Sequence, residues 1–207
     1  MYVTLRRYAE IGARMYQIIA RKIEEGLVPM LKAQPGFRCY CAFVSEDGDG
    51  VSVTVFDDRE RATLANERVR EWGRNNLRDL ISDPPKVSAG ECGIAEVAGE
   101  PGAGQHQPPV VMLREFADLG PVEKTCEVVR RHTLPFIVGS PGFRAVYMFR
   151  DEQDPSRGVT LTLFETRNNA MQSHERSVRA FREEAGDMAP SLLRVASGRA
   201  IVFASAD

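Results

Sequence analysis

Two side chains at matching places along the chain have the chemistry to hold or move a proton. His174 follows Ala170 by four residues and precedes Phe181 by seven, within one apolar helical face. An imidazole there can orient a phenol or take its proton near neutral pH. It is equally readable as a partly buried histidine satisfied by one hydrogen bond. Asn66 takes the equivalent place earlier in the chain. Its amide can hold a substrate oxygen or a peroxy intermediate but cannot act as a base. Either the two positions work differently, or the earlier copy is a structural partner. Tyr147, Phe164 and Phe181 are the candidate walls of a pocket around His174. Trp72 and Tyr40 are the corresponding candidates in the first half, although helical spacing also suits Trp72 to a core. His132, late in a helix, reads as solvated or capping carbonyls, and His106 falls in a Gly- and Pro-rich connection.

The elements that must position these residues are written twice. Pro35-Gly36-Phe37-Arg38 returns as Pro141-Gly142-Phe143-Arg144, and Val51 to Phe56 returns as Val159 to Phe164. The offset is 108 residues for Val3 and Val111, 106 for Pro35 and Pro141, and 108 again for Val51 and Val159. A conserved order with small changes in loops is the mark of a duplicated unit. Ile11, Met15, Ile18, Ile19, Ile23, Leu27 and Met30 recur at helical steps, as do Val122, Cys126, Val129, Thr133 and Ile137. Pro29 and Pro135 must kink or end these helices. Pro-Gly supplies the turn into a second strand, on which Phe37, Cys39, Cys41 and Phe43 share a face by simple alternation. By the same count Tyr40 and Tyr147 lie on opposite faces. A third strand alternates Val51, Val53 and Val55 with Ser52, Thr54 and Phe56, and the latter row is expected on the face away from the helices. Second helices begin near Arg59 and Arg167, and final strands run near 87–97 and 195–203.

Each copy therefore reads β-α-β-β-α-β, the split βαβ or ferredoxin-like unit, and the fold class is α+β. The expected organisation is a first repeat at 1–97, a linker at 98–109 and a second repeat at 110–207. A linker of about 12 residues can span roughly 35–40 Å. The copies are expected to face each other sheet to sheet as an intrachain pseudo-dimer, on which a homodimer of chains can still build.

Composition narrows the classes. Apolar content of 43% and charged content of 27% fit a globular domain, and a net charge of −2 gives no reason to expect nucleic acid. No apolar run approaches the roughly 20 residues that span a bilayer, so no membrane partner and a cytoplasmic location are expected. The four cysteines, Cys39, Cys41, Cys92 and Cys126, form no C-x-x-C pair and have no histidine at zinc spacing. They read as packing groups, and no metal site is expected. Arg6 and Arg114 recur on the first strands, and Arg38 and Arg144 after the Pro-Gly turns. Such repeated arginines can bind an anion, with an ion pair between the copies as the preferred reading.

The unit order with Pro-Gly between the first helix and second strand resembles the dimeric α/β-barrel superfamily. More narrowly, Leu163-Phe164-Glu165-Thr166-Arg167-Asn168-Asn169-Ala170-Met171-Gln172-Ser173-His174 is similar to a stretch common in the antibiotic biosynthesis monooxygenase (ABM) group. Phe164, Glu165, Ala170 and His174 stand for that group's Trp, Glu, Ala and His, with a turn one residue longer. Residues 55–66 fit less well, with Asn66 in place of the histidine. The resemblance implies two units packed sheet to sheet, each with a pocket between its sheet and helices. It also implies an oxidoreductase, a monooxygenase that oxidises an aromatic or polyketide-like phenol with O2 and without cofactor. A non-catalytic binding or structural barrel, and a haem-degrading or isomerase-type member, are the alternatives. Haem-degrading members carry a histidine further along the second helix and an asparagine on strand one. Here Asn76 and Glu184, and Arg7 and Glu115, occupy those places.

Overall fold

The computed structural model describes residues 1–11, 13–81, 83–99, 107–186 and 189–206. His106 and most of the expected linker lie outside these. The element order is β1 (Tyr2–Tyr8), α1 (Ala13–Lys22), a π turn (Ile23–Leu27), α2 (Val28–Lys32), β2 (Phe37–Val44), β3 (Gly50–Phe56), α3 (Arg59–Asn76) and β4 (Lys86–Val97). It then runs β5 (Val110–Ala117), α4 (Val122–Val128), a π turn (Val129–Thr133), α5 (Leu134–Val138), β6 (Phe143–Arg150), β7 (Gly158–Phe164), α6 (Arg167–Ala185) and β8 (Ser191–Ser205). The class is α+β, with every strand pairing antiparallel.

Two compact units emerge: residues 1–91 with 200–207, and residues 92–199. They are cut differently from the repeats read along the sequence. In the first unit β1 lies between β3 and the first half of β4, and β2 lies between β3 and the last residues of β8. In the second unit β5 lies between β7 and the first part of β8, and β6 lies between β7 and the second half of β4. Long terminal strands thus serve two ladders, and each of the eight strands has a hydrogen-bonded neighbour on both sides.

Local chemistry accounts for the helix boundaries. The Asp58 carboxylate accepts from the Arg61 amide at 2.9 Å and caps α3; the Thr166 hydroxyl accepts from the Asn169 amide at 3.2 Å and caps α6. Pro29 and Pro135 cannot donate to the preceding turn, and a π turn lies immediately ahead of each. The proline kink expected from sequence therefore takes the form of a widened turn followed by one further α turn. Gly36 and Gly142 have φ of 74° and 68°, the left-handed conformation that the turn into β2 and β6 demands and that glycine adopts without strain.

The sheet faces differ from simple alternation. A bulge between Phe37 and Cys39, and another between Phe143 and Ala145, inserts a residue and reverses the order. Phe37, Tyr40, Ala42 and Phe56 consequently share the first unit's core with Ile19, Leu27, Leu31, Ala62 and Ala65 from the helices. Phe143, Val146, Met148 and Phe164 pack likewise with Ile137 and Ala170. The row of Ser52, Thr54 and Phe56 thus faces the helices, contrary to expectation. Cys39, Cys41, Val53 and Val55 occupy the other sheet face and are buried as well. Val51, in the same alternating row, is buried too, so that face is as apolar as the one toward the helices. Ile18 and Val122, expected on buried helical faces, are about half exposed at 48% each.

Candidate functional site

A cavity opens in the first unit between the sheet and the helical layer. Ile19, Ile23 and Leu27 line it from α1 and its π turn, Val69 and Trp72 from α3, and Phe43 from β2. Four hydroxyls interrupt the apolar wall: Tyr8, Tyr16, Tyr40 and Ser52. Ser52 lies near both Tyr8 and Tyr40. Burial pushes both phenols above their ordinary range, so they stand protonated as donors. Among the described residues, no His, Cys, Asp, Glu or Lys lines the cavity. Its volume is about 60 Å³, small beside the roughly 300–1,000 Å³ of typical ligand pockets. A single ring already exceeds this space, so any aromatic ligand requires the walls to open, a polycyclic one more so.

Trp72 is fitted by a missing side chain. A Cβ on Gly26, in the π turn, would sit 2.9 Å from the Trp72 Nε1. The widened turn and its glycine bring the helical backbone against the indole, an arrangement available to no larger residue without displacing the ring.

Beside the cavity a buried polar cluster joins β1, β3 and α3. Arg6, 7% exposed, donates to Asn66 Oδ1 at 2.5 Å and to Thr54 Oγ1 at 3.5 Å. Asn66 in turn donates to Thr4 Oγ1 at 2.9 Å. Both ends of the Asn66 amide are therefore engaged. The second unit builds the same cluster with other residues: Arg114, 2% exposed, donates from Nε to His174 Nδ1 at 2.7 Å, from Nη1 to Thr162 Oγ1 at 3.4 Å, and from Nη2 to Met112 Sδ at 3.1 Å. Among the described residues no carboxylate pairs with either guanidinium. The expected ion pair between copies is replaced by hydrogen bonds within each unit. Arg38 likewise pairs with Asp57, and Arg144 donates to the Gln107 carbonyl at 2.8 Å.

The Arg114 bond decides the state of His174. A guanidinium only donates, so Nδ1 must accept and the ring proton sits on Nε2. Burial, then the charges of Arg114 and Arg182, lower the His174 pKa to about 4. The ring is neutral near pH 7 and its one lone pair is occupied. This suits a hydrogen-bond donor and not a base.

Of the residues that sequence singles out, Tyr40 and Trp72 meet at the cavity with Tyr16, another phenol the sequence offers as a hydroxyl source, and with Tyr8 and Ser52, which sequence does not group with them. Tyr147 pairs with Leu161, one residue from the Val146–Thr162 pair whose threonine faces Arg114, so it points to the opposite sheet face and is no wall of a helix-side pocket. Phe164 is fully buried, edge-on to Phe143 with centroids 5.9 Å apart. Phe181 is half-buried on α6. His132 faces Glu184, with Nδ1 to Oε1 at 3.4 Å, instead of capping carbonyls. A sequence signal for the cavity existed: Tyr8, Tyr40 and Trp72 have Phe116, Val146 and Ala180 as counterparts. At these three places the phenol and indole groups sit in the first unit, whereas Ser52 keeps a hydroxyl counterpart in Thr160.

No model of a known family matches the chain, and no curated protein matches it in sequence. Solved structures do share its fold. A candidate monooxygenase from Lactobacillus acidophilus NCFM superposes with a TM-score of 0.76 at 11% identity, covering 99% of this chain and 96% of that one. An anthrone oxidase-like protein superposes with a TM-score of 0.62 at 11% identity, covering 99% and 93%. A chlorite dismutase variant from Candidatus Nitrospira defluvii gives 0.63 at 12% identity, covering 96% and 90%. At such identities the likeness is one of fold. Haem does not fit the cavity described: the lining offers no His, Cys or Met ligand, and about 60 Å³ cannot enclose a macrocycle. No helix among the described residues is long and apolar enough to cross a membrane.

Proposed function

We propose that the chain is a monooxygenase-type oxidoreductase that binds a small aromatic phenol in the cavity of the first unit. The observation that carries this reading is the joining of apolar walls and Trp72 with the hydroxyl-bearing residues Tyr8, Tyr40 and Ser52 on one lining. Flat apolar walls favour a ring, and clustered hydroxyls favour an oxygen on that ring. The fold shared with the candidate monooxygenase and the anthrone oxidase-like protein supports the reaction class. In that reaction a phenol and O2 give a quinone and water. One oxygen atom becomes the new carbonyl, the other leaves as water with the hydroxyl proton and the displaced ring hydrogen, and the ring supplies four electrons. Tyr8, Tyr40 and Ser52 hold the phenolic oxygen, and Trp72 and Ile23 keep water from the ring.

This places the site in the first unit instead of around His174, with Asn66 as a positioning residue for Arg6. A second reading, a small-molecule-binding protein without catalysis, is favoured by the lack of any His, Cys or carboxylate on the lining. The test is oxygen uptake with single-ring phenols, run beside the quenching of Trp72, the only tryptophan. Quenching with oxygen uptake, both reduced in Tyr40→Phe, supports the oxidase. Quenching without uptake selects the binding protein. Neither effect rejects the cavity as the site.

A further inference from the structure

We infer that the first-unit cavity takes its ligand as an anion, an acidic phenol or enol whose oxygen rests against Tyr8, Tyr40 and Ser52, and that Arg6 supplies the charge that selects it. This rests on the cavity being the ligand site.

The starting point is an unbalanced charge. Arg6 is 7% exposed, yet its partners, Asn66 and Thr54, are neutral. A buried cation without an opposite charge is costly, and structures retain one where something else compensates it. The other charge that acts on Arg6 is Arg70, also a cation. Tyr8 and Tyr40 lie close enough to feel the Arg6 charge, and both line the cavity. Arg6 pairs with Ser52 in the β1–β3 register and lies two residues from Tyr8 on the same strand face, so its charge sits behind the hydroxyl-bearing wall, and among the described residues no acidic side chain lines the cavity to offset it. Protonated tyrosines present O–H donors, which stabilise an oxyanion and gain less from a neutral phenol.

The second unit shows what is particular to the first. Arg114 is as deeply buried, but it commits Nε to His174, and Phe116 and Val146 stand where Tyr8 and Tyr40 stand. Its charge has no hydroxyl path to a cavity. Among the described residues, tyrosine hydroxyls thus accompany the repeated arginine in the first unit and not at the matching places of the second. With no base on the lining, the ligand arrives already ionised or loses its proton to solvent, which restricts the class to acidic oxygens.

The experiment compares p-nitrophenol, which ionises near neutral pH and is yellow as the anion, with nitrobenzene, its neutral near-isostere. Binding is read by Trp72 quenching and ionisation by the yellow absorbance. The expected result is bound p-nitrophenol at least about tenfold richer in anion than the free probe at the same pH, the scale set by one opposite charge nearby. Arg6→Gln should abolish that enrichment and Arg6→Lys should keep part of it, with circular dichroism reporting the fold of each. Nitrobenzene binding as tightly as p-nitrophenol, or the bound probe remaining protonated, overturns the inference while leaving the cavity as a ligand site. Binding of neither probe overturns both.

Discussion

Arg114 Nε donates to His174 Nδ1 at 2.7 Å, and the same two places in the first unit hold Arg6 and Asn66. A histidine and an asparagine therefore do one job, accepting a hydrogen bond from a buried guanidinium. That shared role explains why an imidazole sits here without the freedom of a base.

His174 makes the fold acid-sensitive in a defined window. Its pKa is lowered from 6.5 to about 4, so between those values the unfolded chain binds a proton that the folded chain does not. Stability is full above about pH 6.5 and falls as pH drops toward 4. Denaturant unfolding across this range should show the loss in wild type and a smaller slope in His174→Asn. In histidine NMR spectra, His174 should stay neutral with its proton on Nε2 until near pH 4.

Gly26 sets the position of Trp72. In Gly26→Val the new side chain must displace the indole that lies 2.9 Å from an added Cβ. Tryptophan emission should shift, and quenching by aromatic ligands should weaken. Crowding of this kind costs about 1–3 kcal/mol, measurable by urea unfolding.

The two N-caps should be equivalent. Asp58→Ala and Thr166→Ala each remove the acceptor for a first-turn amide. Each should cost about 1 kcal/mol. Because the caps belong to separate helices, the double variant should show the sum within about 0.5 kcal/mol.

Thiol labelling should split the cysteines in two. Cys39 and Cys41 are buried, and burial pushes the Cys39 thiol up to about 12 and Cys41 well above its usual range. Cys92 and Cys126 are partly exposed. Native protein should label at Cys92 and Cys126 and resist at the other two until unfolded, as read by mass spectrometry of the modified peptides.

The chain order of elements, the starts of α3 and α6 near Arg59 and Arg167, the Pro-Gly turns and the disturbance at Pro29 and Pro135 were legible in the residues themselves. Each depends on a contact within a few residues: a side-chain oxygen on a first-turn amide, a missing N–H, a glycine at positive φ. The recurrence of Arg6 and Arg114, and of Asn66 and His174, was legible as well, as a pattern without partners.

The tertiary structure decided which sheet face meets the helices, which residues of the first unit gather around the described cavity, and what the recurring arginines touch. Alternation separates the two faces of a strand but cannot say which one the helices cover when both are apolar and buried, and a bulge after Phe37 or Phe143 reverses the answer. The cavity needs a π turn, Gly26 and Trp72 brought together from distant positions. The bonds of Arg6 to Asn66 and Arg114 to His174 each cross 60 residues. Such partners are chosen by how the helical layer lies on its sheet, so their chemistry, donor or base, charged or neutral, follows from packing.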